Sequence, residues 1–300
     1  MTLEGLRYYL SKPHGWFFYM ASRGWFDSMS DERFLKYIFR YSLGYPLNLE
    51  NPRTYNEKLQ YLKLHDRKSV YTTMVDKYAV RDYAAGIIGD QYLIPLVGGP
   101  WDSVEEIDFD ALPDAFVLKC THDCGGHVIC PDKSKLDRGA AIAKLSKHLK
   151  NNYYYSKREW PYKDVKPRIM AEKYMAGASG DLWDYKVMCF HGVPRLIQVH
   201  KGRFGYHTQD FYDTDWNRLP LTQDLPLSET PDEKPVFLPE MLRLSSVLAA
   251  DCVHLRVDWY YVEGQLYLGE LTLYDASGLE IFEPPEYDRI LGDMIDLGKM

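Results

Sequence analysis

Lysines at the ends of apolar runs, a glycine pair, and carboxylates set within apolar hairpins are the residues with chemistry to offer. The run "FVLKCTHDCGGHVIC", Phe116 to Cys130, holds three cysteines, two histidines, a lysine and Gly125-Gly126. Structural zinc uses paired C-x2-C knuckles, which Cys120, Cys124 and Cys130 do not form, and cysteine within a strand is more often a small buried hydrophobe. Anion binding accounts for more of the residues. Lys119 ends "FVLK" and aims an ammonium from a rigid strand, and Thr121 to Gly126 form a turn whose backbone N–H groups can approach a phosphate closely. Strand, loop, strand is not the order of a P-loop, which feeds a helix.

Carboxylates come next. In "RVDWYYVEGQLYLGELT", Asp258 and Glu270 lie on two apolar strands joined near Glu263-Gly264. Buried carboxylates need partners. A two-residue turn would send them to opposite faces, whereas a three-residue connection with a left-handed Gly264 sets them diagonally on one face, able to hold Mg²⁺. The three-residue connection is expected; the alternative is that each carboxylate pairs with a local cation such as Arg256. "RIMAEKYMAG" ends a strand in Glu172-Lys173-Tyr174-Met175, which suits an adenine ring by its backbone groups and flat apolar side chains, or is an edge strand entering a loop. "FYDTDWN" carries Asp213-x-Asp215, a spacing with which glycosyltransferases hold a metal on a sugar nucleotide, although it also suits a hairpin end.

These residues require elements to position them. "SDERFLKYIFRYSLG" reads as a helix capped by Ser30 or Asp31, with Phe34, Ile38 and Tyr41 on one face and Gly44 at its end. Thr54 and Glu57 have capping-box spacing. "TTMVDKYAVRDYAAGII" repeats the helical period up to Gly86 and Gly89. After residue 90 the texture changes to strand-like runs, "YLIPLVGG", "AFVLKC", "HVIC", "RIMAEKYM", "YKVMCF", "PRLIQVH", "LRVDWYYV" and "QLYLGELTLY". Helices at "RGAAIAKLSKHLKNNYYY" and "LPEMLRLSSVLAADC" interrupt them, and "LSETPDEKP" (227–235) reads as an exposed loop. The class is α+β with much antiparallel sheet, without the regular alternation of a dinucleotide fold.

Three hundred residues suffice for a sizeable core. A formal charge of -7 and a pI near 5.7 give no broad basic field, which argues against extended nucleic-acid contact. Five cysteines, an odd number, and a start without a basic head and apolar segment point to a reducing cytoplasm. No apolar run approaches membrane-spanning length. The aromatics Trp16, Phe17, Phe18, Tyr19, Trp25 and Phe26 are expected to pack an N-terminal helix on the body, with docking at a membrane surface as the alternative.

In their order, these elements resemble the ATP-grasp superfamily over roughly residues 71–285. "NPRTYNEKLQYLKLHD", "VDKYAVRDY", "FVLKCTHDCGG", "DYKVMCFHGVPRLIQV", "FYDTDWNRLPL" and "VDWYYVEGQLYLGELTLYDASG" resemble its TupA-like branch, found in bacterial polysaccharide and teichuronopeptide biosynthesis. The resemblance implies two α+β subdomains with antiparallel sheets gripping ATP: N-terminal helices over 1–70, a catalytic region over 71–300, and a nucleotide lid over about 105–172. It implies that Lys77 and Lys119 contact phosphates, that Thr121, Gly125 and Gly126 belong to the covering loop, and that Glu172, Lys173 and Met175 contact adenine. Asp184 would bind ribose, Lys186 would reach the γ-phosphate or substrate, and Asp258 and Glu270 would hold Mg²⁺. Thr272 stands where many members have asparagine, and "YDASG" (274–278) is where substrate would meet the γ-phosphate. His122, His127 and Arg203 are further substrate candidates.

The implied activity is amide formation between a uronic-acid or amino-acid carboxylate and an amine through an acylphosphate, beside membrane-associated polysaccharide assembly enzymes. A glycosyltransferase, a sugar kinase and a non-catalytic nucleotide-binding subunit are the alternatives.

Overall fold

A computed structural model describes residues 17, 20–21, 24–177, 181–203 and 205–300. The chain alternates helices and strands: α1 (Asp31–Leu43), α2 (Tyr55–His65), α3 (Val70–Val75), α4 (Ala79–Ile88), β1 (Leu96–Trp101), β2 (Phe116–Cys120), β3 (His127–Cys130), α5 (Arg138–Leu149), α6 (Tyr154–Lys157) and β4 (Ile169–Lys173). It continues with β5 (Asp184–Phe190), β6 (Val193–Lys201), β7 (Thr208–Tyr212), α7 (Leu238–Leu248), β8 (His254–Val262), β9 (Gln265–Thr272) and α8 (Glu286–Asp293). Two sheets result, ordered β1-β4-β2-β3 and β7-β6-β5-β8-β9, with every strand pair antiparallel.

Each sheet has its own core. Phe116, Leu118 and Cys120 alternate along β2 and bury against Ile169, Ala171 and Leu145 of α5. In the larger sheet, Val187, Val199, Val257 and Trp259 join Met241 and Leu244 of α7 in the main cluster, and the Trp259 indole donates to Ser245 Oγ at 2.8 Å. Side chains alternate across a strand, so the opposite face of this sheet carries Asp184, Lys186, Asp258 and Glu270. Its far end, at Phe190 and His254, is covered by Tyr55 of α2, whose ring packs on both.

Local chemistry explains the helix boundaries. Thr54 and Glu57 form the expected capping box at the start of α2, and Gly44 ends α1 at φ 82°. On α1 the buried stripe is Phe34, Leu35, Ile38 and Phe39, while Tyr41, expected inward, lies 41% exposed. Phe17 stacks on Phe26 with centroids 4.7 Å apart and Trp25 is exposed, whereas Trp16, Phe18 and Tyr19 lie outside the described residues.

Two expectations are corrected. The helix read through "TTMVDKYAVRDY" is broken at Asp76–Tyr78, because Asp76 Oδ1 accepts from the backbone N–H groups of Tyr78 and Ala79 and starts α4 afresh. Lys77, at this break, lines the cleft described below. The β8–β9 connection has two residues, not three: Val262 pairs with Gln265 across Glu263 (φ 52°) and Gly264 (φ 84°). The extra residue enters at Gly269 as a bulge between the Asp258↔Glu270 and Trp259↔Leu268 pairs, so the two carboxylates sit directly opposite each other rather than diagonally. Strand β7, "TQDFY", was not anticipated; its polar residues hide a fully buried strand.

Candidate active site

Between the sheets lies a cleft of about 230 Å³. Val117 and Ile129 line it from the smaller sheet, and Ile94, Met175, Leu182 and Tyr260 from the other side, which gives it two apolar walls. Lys77, Lys119, Glu172, Lys173, Gly125, Gly126, His127 and Arg203 complete its rim. Glu172, 5% exposed, accepts from Lys119 Nζ at 2.6 Å and from Arg81 Nη1 at 3.0 Å, so its carboxylate holds two cations at the cleft edge.

The loop after β2 is anchored on both sides. Lys77 N donates to Thr121 O at 3.0 Å and Lys77 Nζ to Asp123 O at 2.7 Å. The Asp123 carboxylate pairs with His148 of α5, and His122 Nε2 lies 3.1 Å from the carbonyls of His148 and Asn151. His122 and Thr121 therefore face into the fold: the Thr121 hydroxyl donates to Lys166 O at 3.4 Å, and neither residue lines the cleft. Glycine is required at 126, where a Cβ would stand 2.5 Å from Asp123 Oδ1, and Gly125 adopts φ 93°. His127 and Arg203 do line the cleft.

Beyond Lys77 the polar face begins. Lys77 Nζ lies 3.4 Å from Glu270 Oε1, which links the cleft to the carboxylate pair. Lys186, opposite Asp258 on the neighbouring strand, donates to Asp258 Oδ2 at 2.5 Å and lies 2.9 Å from Asp184 Oδ2. Arg256 Nε and Nη2 donate to the two oxygens of Asp258 at 2.7 and 2.8 Å, and Nη1 donates to Asp275. Burial pushes the Asp258 carboxyl up, but Arg256 and Lys186 outweigh it and hold it at about 2. Burial also raises Glu270, and Lys77 brings it below its ordinary value. Both groups are ionised at neutral pH. Asp184, 1% exposed, also receives Arg203, yet its Oδ1 has no partner among the described residues.

The two carboxylates share one face, and each has a cation. Hard oxygen ligands suit Mg²⁺, which needs only one or two carboxylates when substrate phosphates and water complete its shell. Asp258 and Glu270 meet that requirement. Among the described residues no group of three or more His, Cys, Asp and Glu side chains is gathered to hold a metal unaided. The Thr272 hydroxyl lies on the same face but accepts from Arg256 Nη2 at 3.1 Å. Asp213 accepts from the backbone N–H groups of Asp215 and Asn217 at 2.9 and 2.8 Å, so Asp213-x-Asp215 closes a turn.

Arg81 and Gln198 are not singled out by the sequence reading, which takes Arg256 only as a local partner of the carboxylates and Asp275 only as part of "YDASG". The expected pairing of Arg256 with a carboxylate is met at Asp258, two residues away and hence on the same face of β8. The second partner of Arg256, Asp275, is not legible as such, because nothing local brings the two together.

A family model described as TupA-like ATPgrasp matches residues 57–296. No curated protein matches the chain in sequence. Similar solved structures include D-alanine–D-alanine ligase from Bacillus anthracis complexed with ATP, at 19% identity and TM-score 0.41, covering 74% of this chain and 63% of that one. D-alanine–D-alanine ligase from Helicobacter pylori is 14% identical at TM-score 0.43, with 80% and 69% covered. L-amino acid ligase from Bacillus licheniformis is 12% identical at TM-score 0.43, with 83% and 55% covered. The chain thus spans less than two thirds of the length of the first and third of these structures.

Proposed function

The chain belongs to the TupA-like ATP-grasp family, and from that premise we propose that it is an ATP- and Mg²⁺-dependent ligase that joins a carboxylate to an amine through an acylphosphate. One observation carries the reading: Lys77 lines the apolar cleft and also pairs with Glu270, so a base-sized slot, phosphate-binding cations and metal-binding carboxylates run in one line. Adenine fits between Val117, Ile129, Met175 and Tyr260, beside Glu172 and Lys173, and the unpartnered Oδ1 of Asp184 suits a ribose hydroxyl. Lys77, Lys119 and the Gly125–Gly126 end of the loop would hold the phosphates. Asp258 and Glu270, with Thr272 adjoining, would hold Mg²⁺, which neutralises charge on the transferring phosphoryl group.

The chemistry follows from leaving groups. A carboxylate oxygen leaves poorly and phosphate leaves well, so phosphorylating the carboxylate prepares it for attack by an amine. Lys186 and Arg256 stand beside Asp258, where they would stabilise the anion that develops during transfer. The Thr121–Gly126 loop, anchored beside the cleft, would keep water from the acylphosphate. No covalent enzyme nucleophile is required.

The finer reading is that the carboxylate is a uronic acid or amino acid, and that the protein works in the cytoplasm with membrane-associated enzymes of surface-polysaccharide assembly. No described helix is long and apolar enough to cross a membrane. Residues 1–70 would be an N-terminal helical region, 71–300 the catalytic region, and about 105–172 the nucleotide lid. The test is ADP release from ATP and Mg²⁺ with paired carboxylates and amines, in wild type and Asp258→Asn. Turnover with one pair, abolished in the variant while an ATP analogue still binds, is expected. Undiminished turnover in Asp258→Asn would remove the metal assignment, and no ADP release with any pair would remove the ligase.

A further inference from the structure

Lys63 is fully buried on α2, and among the described residues its ammonium donates to neutral oxygens: Gln60 Oε1 at 3.0 Å, Lys157 O at 3.1 Å, Ser277 O at 2.9 Å and Ser277 Oγ at 2.8 Å. An ammonium in such a place is costly to desolvate, and burial pulls Lys63 down to about 7 against the opposing influence of Glu159. The buried Glu159 is its counter-charge, so what distinguishes Lys63 is where its donors go: two of its contacts are to Ser277.

Its partner is a strained turn. Ala276 and Ser277 adopt φ 47° and 61°, left-handed values that non-glycine residues hold only when their surroundings impose them. The surface of α2 imposes them. Gln60 Nε2 donates to Ser277 O at 3.0 Å and to Gly278 O at 2.7 Å, and a Cβ on Gly278 would stand 2.6 Å from Gln60 Nε2 and 2.8 Å from Leu59 Cβ. The first residue of the turn is Asp275, which is buried, accepts from Gln198 Nε2 at 3.1 Å, and binds Arg256. Arg256 in turn grips both oxygens of Asp258. A continuous series of contacts thus runs from α2 to the carboxylate proposed to hold the metal.

We propose that Lys63 is a positioning residue: by clamping the left-handed Asp275–Gly278 turn to α2, it fixes the Asp275–Arg256 pair and so orients Asp258 toward the metal of a bound nucleotide. The inference rests on the nucleotide reading given above. Gln60 and Lys63, one helical turn apart, are the two side chains that receive the Ser277 carbonyl, and loosening either end lets Asp275 withdraw from Arg256.

The test is calorimetric titration with β,γ-imido-ATP, with and without Mg²⁺, in wild type, Lys63→Met and Ser277→Gly. Methionine keeps the stem of Lys63 and removes its donors. Glycine accepts the positive φ of Ser277, so the second variant should fold even if the first does not. The expected result is unchanged affinity without Mg²⁺ and a gain on adding Mg²⁺ that falls about ten-fold or more in Lys63→Met, in the range seen when outer partners of metal ligands are removed. Ser277→Gly, which keeps the carbonyl that Lys63 and Gln60 bind and loses the hydroxyl's bonds to Lys63 and Glu159, should fall in the same direction by less. An undiminished Mg²⁺ gain in the folded variants overturns the inference, as does an equal loss with and without Mg²⁺, which would mark Lys63 as a support of the fold alone. If wild type fails to bind the analogue at all, the nucleotide reading falls, and this inference with it.

Discussion

Replacing Arg256 with methionine isolates what the buried guanidinium contributes. The substitution keeps an apolar stem but removes the donors that hold Asp258 at 2.7 and 2.8 Å and bind Asp275. Both carboxylates are 3% exposed. Asp258 would keep Lys186, whereas Asp275 would keep only the amide of Gln198. Holding the Asp258 carboxyl at about 2 instead of its ordinary 3.8 corresponds to about 2 kcal/mol of stability at neutral pH, set by burial working against Arg256 and Lys186. Leaving Asp275 buried without a cation adds to this, and breaking a buried ion pair from one side costs about 3–5 kcal/mol in all.

The pH dependence has a definite sign. A carboxyl depressed in the folded state contributes stability above pH 3.8 that is lost as pH falls toward 2, so wild type should lose this increment in that window and Arg256→Met should lose less. The assay is urea unfolding at pH 7, followed by fluorescence of tryptophans that include the buried Trp259. Adding Asp275→Asn to Arg256→Met removes the orphaned charge and should restore roughly 1–3 kcal/mol. A loss below about 1 kcal/mol in the single variant, or a further loss in the double, would refute the reasoning that these carboxylates depend on Arg256.

Two further outcomes follow from the fold. His254 is buried, with Nδ1 2.8 Å from Leu273 O and Nε2 2.9 Å from the Tyr55 hydroxyl, and burial pulls it down to about 4. Its contribution is present above pH 6.5 and lost as pH falls through 4, by up to about 1.4 kcal/mol per pH unit; His254→Gln should flatten the unfolding profile in that window, and an identical profile would refute this. Gly269→Ala would place a Cβ 2.9 Å from the Tyr260 ring and 3.3 Å from Asp258 O, so it should cost about 1–3 kcal/mol and weaken analogue binding through the displaced ring. Unchanged affinity would show that the bulge does not set the position of Tyr260.

Much of this molecule is legible from short-range chemistry. Short apolar runs such as "FVLKC" and "YKVMCF", cut by turns, are sufficient to read strands, and Thr54 with Glu57 marks the start of α2, because run and cap each depend on residues within a few positions. Lys119, Glu172, Asp258 and Glu270 were visible as charges inside apolar runs. The common face of Asp258 and Glu270 was also anticipated, but by the wrong connection. Only the folded sheet decides that a two-residue turn is followed by a bulge at Gly269, since the register of β9 depends on packing against Tyr260 and the pairing of β8 with β5.

The same limit applies to the electrostatics. Asp275 and Lys63 are far from Arg256 and Ser277 in the chain, and no local pattern marks them as partners. The break at Asp76–Tyr78 needed Asp76 to cap α4 while Arg168, from beyond α5, binds the same carboxylate at 2.9 Å. Local periodicity selects the elements and the chemistry they carry. Which carboxylate meets which cation is decided by tertiary packing, because the cost of burying a charge is offset only by a partner that the fold brings across from another element.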